Sequence, residues 1–114
     1  MADRSGGARS RGDSSTSPTG QQGVYAISVA AELTGWEPHT LRSWERAGLL
    51  NPHRSSGGTR RYSPDDLELV RHIGDMVNAG LNLPGIARVL ELEQQLEQAM
   101  QEIDRLNRLL ESSD

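Results

Sequence analysis

The sequence predicts a mainly α-helical protein, a winged helix-turn-helix followed by a C-terminal dimerisation helix that forms a coiled coil. Two short amphipathic segments joined by a glycine-containing turn predict the helix-turn-helix, and a glycine-rich segment flanked by arginines predicts its hairpin wing. An apolar repeat with alternating steps of three and four residues predicts the coiled coil. The 114 residues therefore divide into a disordered tail rich in Gly and Ser (1–23), a winged domain (24–88) and a coiled-coil helix (89–112).

Capping residues and glycines set the predicted bounds of the first two helices. Ser28 is the expected N-cap of the first helix, and Gly35 is expected to end it. Pro38 suits the first turn of the second helix, and Gly48 is expected to stop it. Two short helices joined by so tight a turn give the outline of a helix-turn-helix, in which the second helix reads the DNA.

The wing and a third helix are predicted next along the chain. A hairpin is expected because residues 49–50 and 60–62 flank the flexible segment Ser-Ser-Gly-Gly-Thr at 55–59. Ser63 and Asp66 then have the spacing of a capping box, which predicts that a third helix begins there. This third helix is expected to support the helix-turn-helix from behind.

The last part of the chain predicts dimerisation. Asn82 is the expected N-cap of a fourth helix, and the heptad repeat follows it. Apolar side chains at this spacing form one stripe along a helix, and a partner helix that covers the stripe stabilises it. We therefore expect a homodimer, with the direction of the two strands left open. The predicted seam consists of Val89, Leu92, Leu96, Ala99, Ile103, Leu106 and Leu110.

The composition excludes several functional classes. The chain has no cysteine, which excludes disulfides, thiolate metal sites and cysteine nucleophiles. Aromatic residues make up 4% of the chain, too few to line a pocket for a small-molecule ligand. The three histidines lie in different predicted elements without metal-ligand spacing, so we expect no metal, no cofactor and no enzyme activity. No apolar run reaches the ~18 residues of a membrane span, and the protein is expected to be cytoplasmic.

The net charge of −4 conceals an uneven distribution of charge. Residues 39–62 contain five arginines and one acidic residue, whereas residues 91–114 contain seven acidic residues and two arginines.

One face of the second helix carries four polar residues, His39, Arg42, Ser43 and Arg46. Hydrogen-bond donors on such a face suit the major groove of DNA, although a solvated polar face has the same pattern. The position of this face beside a predicted wing favours the interpretation that it contacts DNA.

The predicted wing adds candidate contacts to DNA phosphates. Arg54 lies at the entrance of the hairpin, and Gly58 at its tip permits close approach to a DNA backbone. Because successive residues of a strand point to opposite sides, we expect only one of Arg60 and Arg61 to address phosphate while the other braces the wing.

Three motifs together carry a resemblance to a known family. They are Y-x-I-S at residues 25–28, P-x-T-L-R-x-W-E-R-x-G-L-L at 38–50 and R-R-Y-S at 60–63. This combination resembles the DNA-binding domain of MerR-type transcriptional regulators. Within that family, the wing G-G-x-R-R-Y-S at 57–63 and N-L-x-G-I at 82–86 are most similar to the heat-shock repressor (HspR) subfamily.

The resemblance implies a homodimeric repressor of heat-shock or chaperone genes that binds an inverted repeat in double-stranded DNA, with the chaperone DnaK as co-repressor. The chain departs from the family pattern at Ser43, where an aromatic residue is usual, and at Glu37, where a small capping residue is usual. Two alternatives stay open: a MerR-like developmental or phage-type regulator of other genes, and an adaptor whose acidic coiled coil binds a protein. The residues expected to contact DNA are Tyr25, His39, Thr40, Arg42, Ser43, Arg46, Arg54, Gly58, Arg60, Arg61 and Tyr62.

Overall fold

The computed structural model describes residues 22–113, so almost all of the predicted tail lies outside the described residues. The described part is mainly helical and confirms the predicted class, a helix-turn-helix with a small wing and a long C-terminal helix. No helix in this part is long and apolar enough to cross a membrane. Its elements are α1 (Ile27–Thr34), α2 (Pro38–Arg46), β1 (His53–Arg54), β2 (Arg60–Arg61), α3 (Pro64–Asn78) and α4 (Leu83–Ser112).

Helix α1 begins earlier than predicted. Its N-cap is Ala26, and Ser28 lies inside the first turn, so the assignment of Ser28 as the cap was wrong. The reason is tertiary: Tyr25 forms an antiparallel bridge with Tyr62, and this bridge fixes the point at which the chain turns into the helix. The predicted end is confirmed, because Gly35 adopts the left-handed conformation at φ 82° and its N–H donates to the Ala31 carbonyl at 2.8 Å.

The wing is a two-stranded antiparallel hairpin in which His53 faces Arg61 and Arg54 faces Arg60. The expected tip is confirmed by two turn hydrogen bonds, from the Ser55 N–H to the Thr59 carbonyl and from the Gly58 N–H to the Ser55 carbonyl, each at 2.8 Å. The first strand is residues 53–54 and not 49–50. Residues 49–50 are leucines buried in the core, where they gain more from burial than an exposed hairpin offers.

The core lies between α1, α2, α3 and the first turn of α4. The indole rings of Trp36 and Trp44 pack at its edge, with centroids 5.0 Å apart and planes tilted by 56°. Helix α3 approaches Trp36 closely at Gly74, where a Cβ atom would lie 2.3 Å from the indole Nε1. A glycine in the middle of this helix is therefore explained by packing. The largest fully buried side chains are Tyr62, Leu41, Ile73, Ile86 and Val70.

The predicted caps of the last two helices are confirmed. The Ser63 hydroxyl accepts a hydrogen bond from the Asp66 N–H at 3.0 Å, and the Asp66 carboxylate accepts one from the Ser63 N–H at 2.9 Å. The Asn82 side chain accepts a hydrogen bond from the Gly85 N–H at 2.8 Å. From there, the expected fourth helix and the expected coiled-coil helix form one continuous helix of 30 residues, α4. No break in secondary structure therefore marks the predicted boundary at residue 88, and packing against the core continues to Leu90.

Candidate nucleic-acid interface

Helix α2 has one buried and one open face, as a recognition helix requires. Leu41 and Trp44 are buried in the core, and the predicted polar residues lie on the other side of the helix. We call these residues, His39, Arg42, Ser43 and Arg46, the recognition face. In this face, His39 and Arg46 are exposed, whereas Arg42 and Ser43 are half-buried. Within residues 22–113, no carboxylate pairs with either arginine of this face, so both guanidinium groups can reach a partner outside the chain.

The N-terminal end of α2 carries a carboxylate that does not cap the helix. Glu37 is the N-cap residue, yet its side chain accepts no hydrogen bond from the first turn. Its Oε1 atom lies 3.2 Å from Nδ1 of His39, and both side chains are about three-quarters exposed. The first turn uses the Glu37 backbone carbonyl, which accepts hydrogen bonds from the N–H groups of Thr40 and Leu41. Thr40 itself is half-buried beside the open face.

Glu45 joins the recognition helix to the wing. Its carboxylate accepts a hydrogen bond from Arg54 Nη2 at 2.6 Å on β1 and another from Arg60 Nε on β2. Arg54 also donates through Nη1 to the Gly58 carbonyl at 3.1 Å, which ties down the tip. Partial burial raises the pKa of Glu45, but the hydrogen bond and charge of Arg60, together with Arg54, outweigh it and hold the pKa below its usual value. Two guanidinium groups share one carboxylate, so this cluster keeps one net positive charge.

This cluster separates the roles of the wing arginines. Arg60 and Arg54 brace the wing against α2, whereas Arg61 has no carboxylate partner among the described residues. Arg61 therefore keeps its full charge for a phosphate. Tyr25 lies next to it through the bridge to the end of β2, and Gly58 sits exposed at the tip with φ 85°. It stays a prediction that any of these five residues of the wing and its surroundings contacts DNA.

Tyr62 does not belong to a DNA-contacting surface, and its assignment there was wrong. The side chain is fully buried in the core, beneath the wing. Strand alternation explains the error, because Tyr62 follows Arg61 and therefore lies on the opposite side of the strand, towards the core. Burial, with a smaller effect from Glu45, raises the pKa of the Tyr62 phenol. Its hydroxyl has no hydrogen-bond partner among the described residues.

The C-terminal helix presents an exposed apolar face with no partner in the described chain. Val89 is half-buried against the core of the winged domain, so the exposed face begins at Leu92 and not at Val89. Met100 and Leu109 widen the face beyond the predicted seam. We call it the coiled-coil face; its large side chains are Leu92, Leu96, Met100, Ile103, Leu106, Leu109 and Leu110, and the exposed Ala99 lies among them.

Two important residues escaped prediction from the sequence. In the sequence, Glu45 stands out only as the single acidic residue among the five arginines of residues 39–62. A single carboxylate among arginines is a signal that it pairs with them inside the protein. Gly74 lies in the middle of a helix, where glycine is unfavourable, and this cost signals a close approach by another group. Neither signal identifies the partner, since Arg54, Arg60 and Trp36 are all distant in sequence.

The family model described as "MerR HTH family regulatory protein" matches residues 25–93. The chain belongs to the MerR family. This MerR-family chain is 50% identical over 74 residues to the putative heat shock protein HspR of Streptomyces coelicolor, a match that covers 64% of the chain and 49% of HspR. It is 36% identical over 78 residues to a probable heavy metal-dependent transcriptional regulator of Haemophilus influenzae, covering 68% of the chain and 61% of that protein. The chain thus spans about half the length of HspR.

Solved structures agree with this assignment. HiNmlR, a MerR family regulator lacking the sensor domain and bound to promoter DNA, superposes with a TM-score of 0.56 and 29% identity, over 76% of this chain and 78% of that one. The N-terminus of MtaN, the Bacillus subtilis multidrug transporter activator, gives a TM-score of 0.55 and 28% identity, over 79% of this chain and 94% of that one. The matched region is accordingly the helix-turn-helix domain of the MerR family, which is a family of regulatory proteins and not of enzymes.

Proposed function

We propose that this MerR-family regulator is a homodimeric repressor of heat-shock or chaperone genes that binds an inverted repeat. The observation that carries the proposal is the 50% identity, over 74 residues, to the putative heat shock protein HspR of Streptomyces coelicolor. That identity is well above the 36% identity to the probable heavy metal-dependent transcriptional regulator of Haemophilus influenzae. The heat-shock assignment therefore rests on the similarity to HspR.

The exposed coiled-coil face supports the homodimer. Seven large apolar side chains of α4 are between 45% and 68% exposed, from Leu92 to Leu110. A second copy of α4 would cover this face and remove the apolar surface from water. Since a two-fold dimer places two recognition helices in successive major grooves, the DNA site should be an inverted repeat.

The recognition face and the wing divide the DNA contacts between them. Arg42 lies on the open face of α2 between His39 and Ser43, and it is the candidate to pair with a guanine edge. Arg61 and Arg46, both without a carboxylate partner in the described part of the chain, are the candidates for phosphate contacts. The sequence specificity then comes from α2, whereas the salt dependence of DNA binding comes from the phosphate contacts of both α2 and the wing.

Selection of genomic DNA fragments tests the proposal. The purified protein is mixed with fragments at about 150 mM salt, where nonspecific phosphate binding is weak, with and without DnaK. We expect enrichment of an inverted repeat upstream of chaperone genes; an increase with DnaK would support a co-repressor. Arg42→Ala should cost roughly 1–3 kcal/mol at that site and little on random DNA. Arg108→Ala, which removes the same charge from the far end of α4, is the matched control.

The outcomes separate the alternatives. An inverted repeat upstream of other genes would favour a developmental or phage-type regulator and contradict the heat-shock role. No enriched sequence under either condition would favour an adaptor. Equal losses on specific and random DNA for Arg42→Ala would show that Arg42 contacts phosphate and reads no base.

Leu96→Asp tests the dimer. Leu96 is the second large side chain of the coiled-coil face and is 61% exposed in the isolated chain, so a second helix would have to bury the new carboxylate. We expect sedimentation to give the mass of a monomer and binding to the inverted repeat to be lost. Gln101→Asp adds the same charge on the outer side of α4 and should leave the dimer intact. An unchanged mass for Leu96→Asp would contradict the dimer interface.

A further inference from the structure

The uncapped carboxylate at the start of α2 is unusual for a surface that meets DNA. Glu37 is about three-quarters exposed, makes no cap hydrogen bond, and has Oε1 3.2 Å from Nδ1 of His39. Its second oxygen, Oε2, has no partner among the described residues. A negative charge here is repelled by phosphates, so it weakens the sequence-independent part of DNA binding. A hydrogen bond from a base would offset this cost.

The position of Glu37 and the chemistry of its carboxylate together indicate which base it would contact. The N-terminal residues of a recognition helix are those that contact base edges in the major groove. A carboxylate accepts hydrogen bonds and cannot donate them, and in the major groove the exocyclic amino group of cytosine is the donor that it matches. The other carboxylate of this helix, Glu45, is committed to Arg54 and Arg60 and is turned towards the wing. Glu37 is therefore the one acceptor of this kind at the open end of α2 in the described structure.

We propose that Glu37 is a specificity-determining residue that accepts a hydrogen bond from the N4 amino group of a cytosine in each half-site of the operator. His39 is a positioning residue that lies against Oε1, so that Oε2 is the oxygen that remains for the base. The inference rests on α2 being the DNA-reading helix, as in the proposed function, but not on which genes are regulated.

Selection of binding sites from randomised DNA tests the inference, with the full-length protein and its Glu37→Gln variant. The wild type should prefer cytosine at one position of each half-site. Glutamine pairs with adenine, so Glu37→Gln should move the preference at that position to adenine and leave the other positions unchanged. Discrimination against the wrong base there should be about 5- to 140-fold in the wild type. Glu37→Ser, which supplies a helix cap but cannot reach a base, should make the position unselective.

Controls keep the result interpretable. Glu111→Gln removes one negative charge from the distal end of α4 and should keep the cytosine preference. Circular dichroism melts should show that the Glu37 variants fold, because the Glu37 side chain is exposed and makes no cap hydrogen bond. An unchanged base preference in Glu37→Gln, or equal tightening on every sequence, would overturn the inference while leaving the proposed function intact. A wild type that enriches no sequence would overturn both.

Discussion

Glu45→Gln tests whether one carboxylate fixes the position of the wing. The substitution keeps the size of the side chain and removes the charge that Arg54 and Arg60 share. A hydrogen bond to a charged group contributes about 1.5–3 kcal/mol to stability, which applies to the half-buried Arg60. The pair with Arg54, which is 48% exposed, contributes at most about 1 kcal/mol. Because glutamine retains one acceptor oxygen, we expect the free energy of unfolding to fall by about 1–3 kcal/mol.

Urea unfolding and thermal melts followed by circular dichroism measure this loss. For a domain of this size, 1 kcal/mol corresponds to a shift in Tm of roughly 4–8 °C, so the loss is easily resolved. Glu91→Gln breaks an exposed ion pair with Arg88 on α4 and serves as the control, which should melt close to the wild type. A Glu45→Gln variant within about 0.5 kcal/mol of the wild type, like an ordinary surface change, would refute the bracing role.

The pH dependence of stability provides an independent check on Glu45. Its pKa in the folded protein is lowered from 4.5, so the ionised carboxylate stabilises the fold above that pH. The contribution is lost as the pH falls through the folded pKa and the carboxylate becomes protonated. Wild-type stability should therefore decline more steeply than that of Glu45→Gln on acidification below about pH 4.5. Parallel acid profiles would contradict the arginine contacts.

Two further substitutions test packing around the wing and the recognition helix. Tyr62→Phe removes a buried hydroxyl without a partner in the described chain. We therefore expect urea unfolding to show a free energy of unfolding within about 1 kcal/mol of the wild type, with unchanged DNA affinity. A clear loss of affinity would indicate that Tyr62 contacts DNA after all. Gly74→Ala places a methyl group 2.3 Å from the indole nitrogen of Trp36, so we expect a loss of about 1–3 kcal/mol and an altered tryptophan fluorescence spectrum. Wild-type stability in Gly74→Ala would mean that Trp36 moves aside without cost.

Local signals in the sequence predicted what local interactions decide. The capping box at Ser63 and the cap at Asn82 each involve residues three apart, and both were found correctly. Ser28 was assigned wrongly because the bridge between Tyr25 and Tyr62, distant in sequence, sets the start of α1. Local capping preference was weaker than a tertiary constraint there.

The inward or outward direction of a strand residue was the main source of error at the candidate site. Tyr62 follows two arginines and resembles a phosphate contact, but the alternation that separates Arg60 from Arg61 also sends Tyr62 into the core. The sequence predicted that one arginine braces the wing, but not that Glu45 is its partner. That contact joins residues 15 apart across two elements, and periodicity carries no information about it.

The continuity of α4 connects the core of the winged domain to the coiled-coil face. The helix starts at Leu83 in the core of the winged domain, where Ile86 is fully buried, and its 30 residues extend about 45 Å. At the point where α4 leaves the domain, His72 Nε2 on α3 lies 2.8 Å from Glu93 Oε1, a contact that joins the two helices there. Within the described residues, no loop interrupts α4 between the core of the winged domain and the coiled-coil face. In the proposed dimer, the separation of the two recognition helices is then fixed by the geometry of α4, and a repressor built this way should accept one spacing between half-sites.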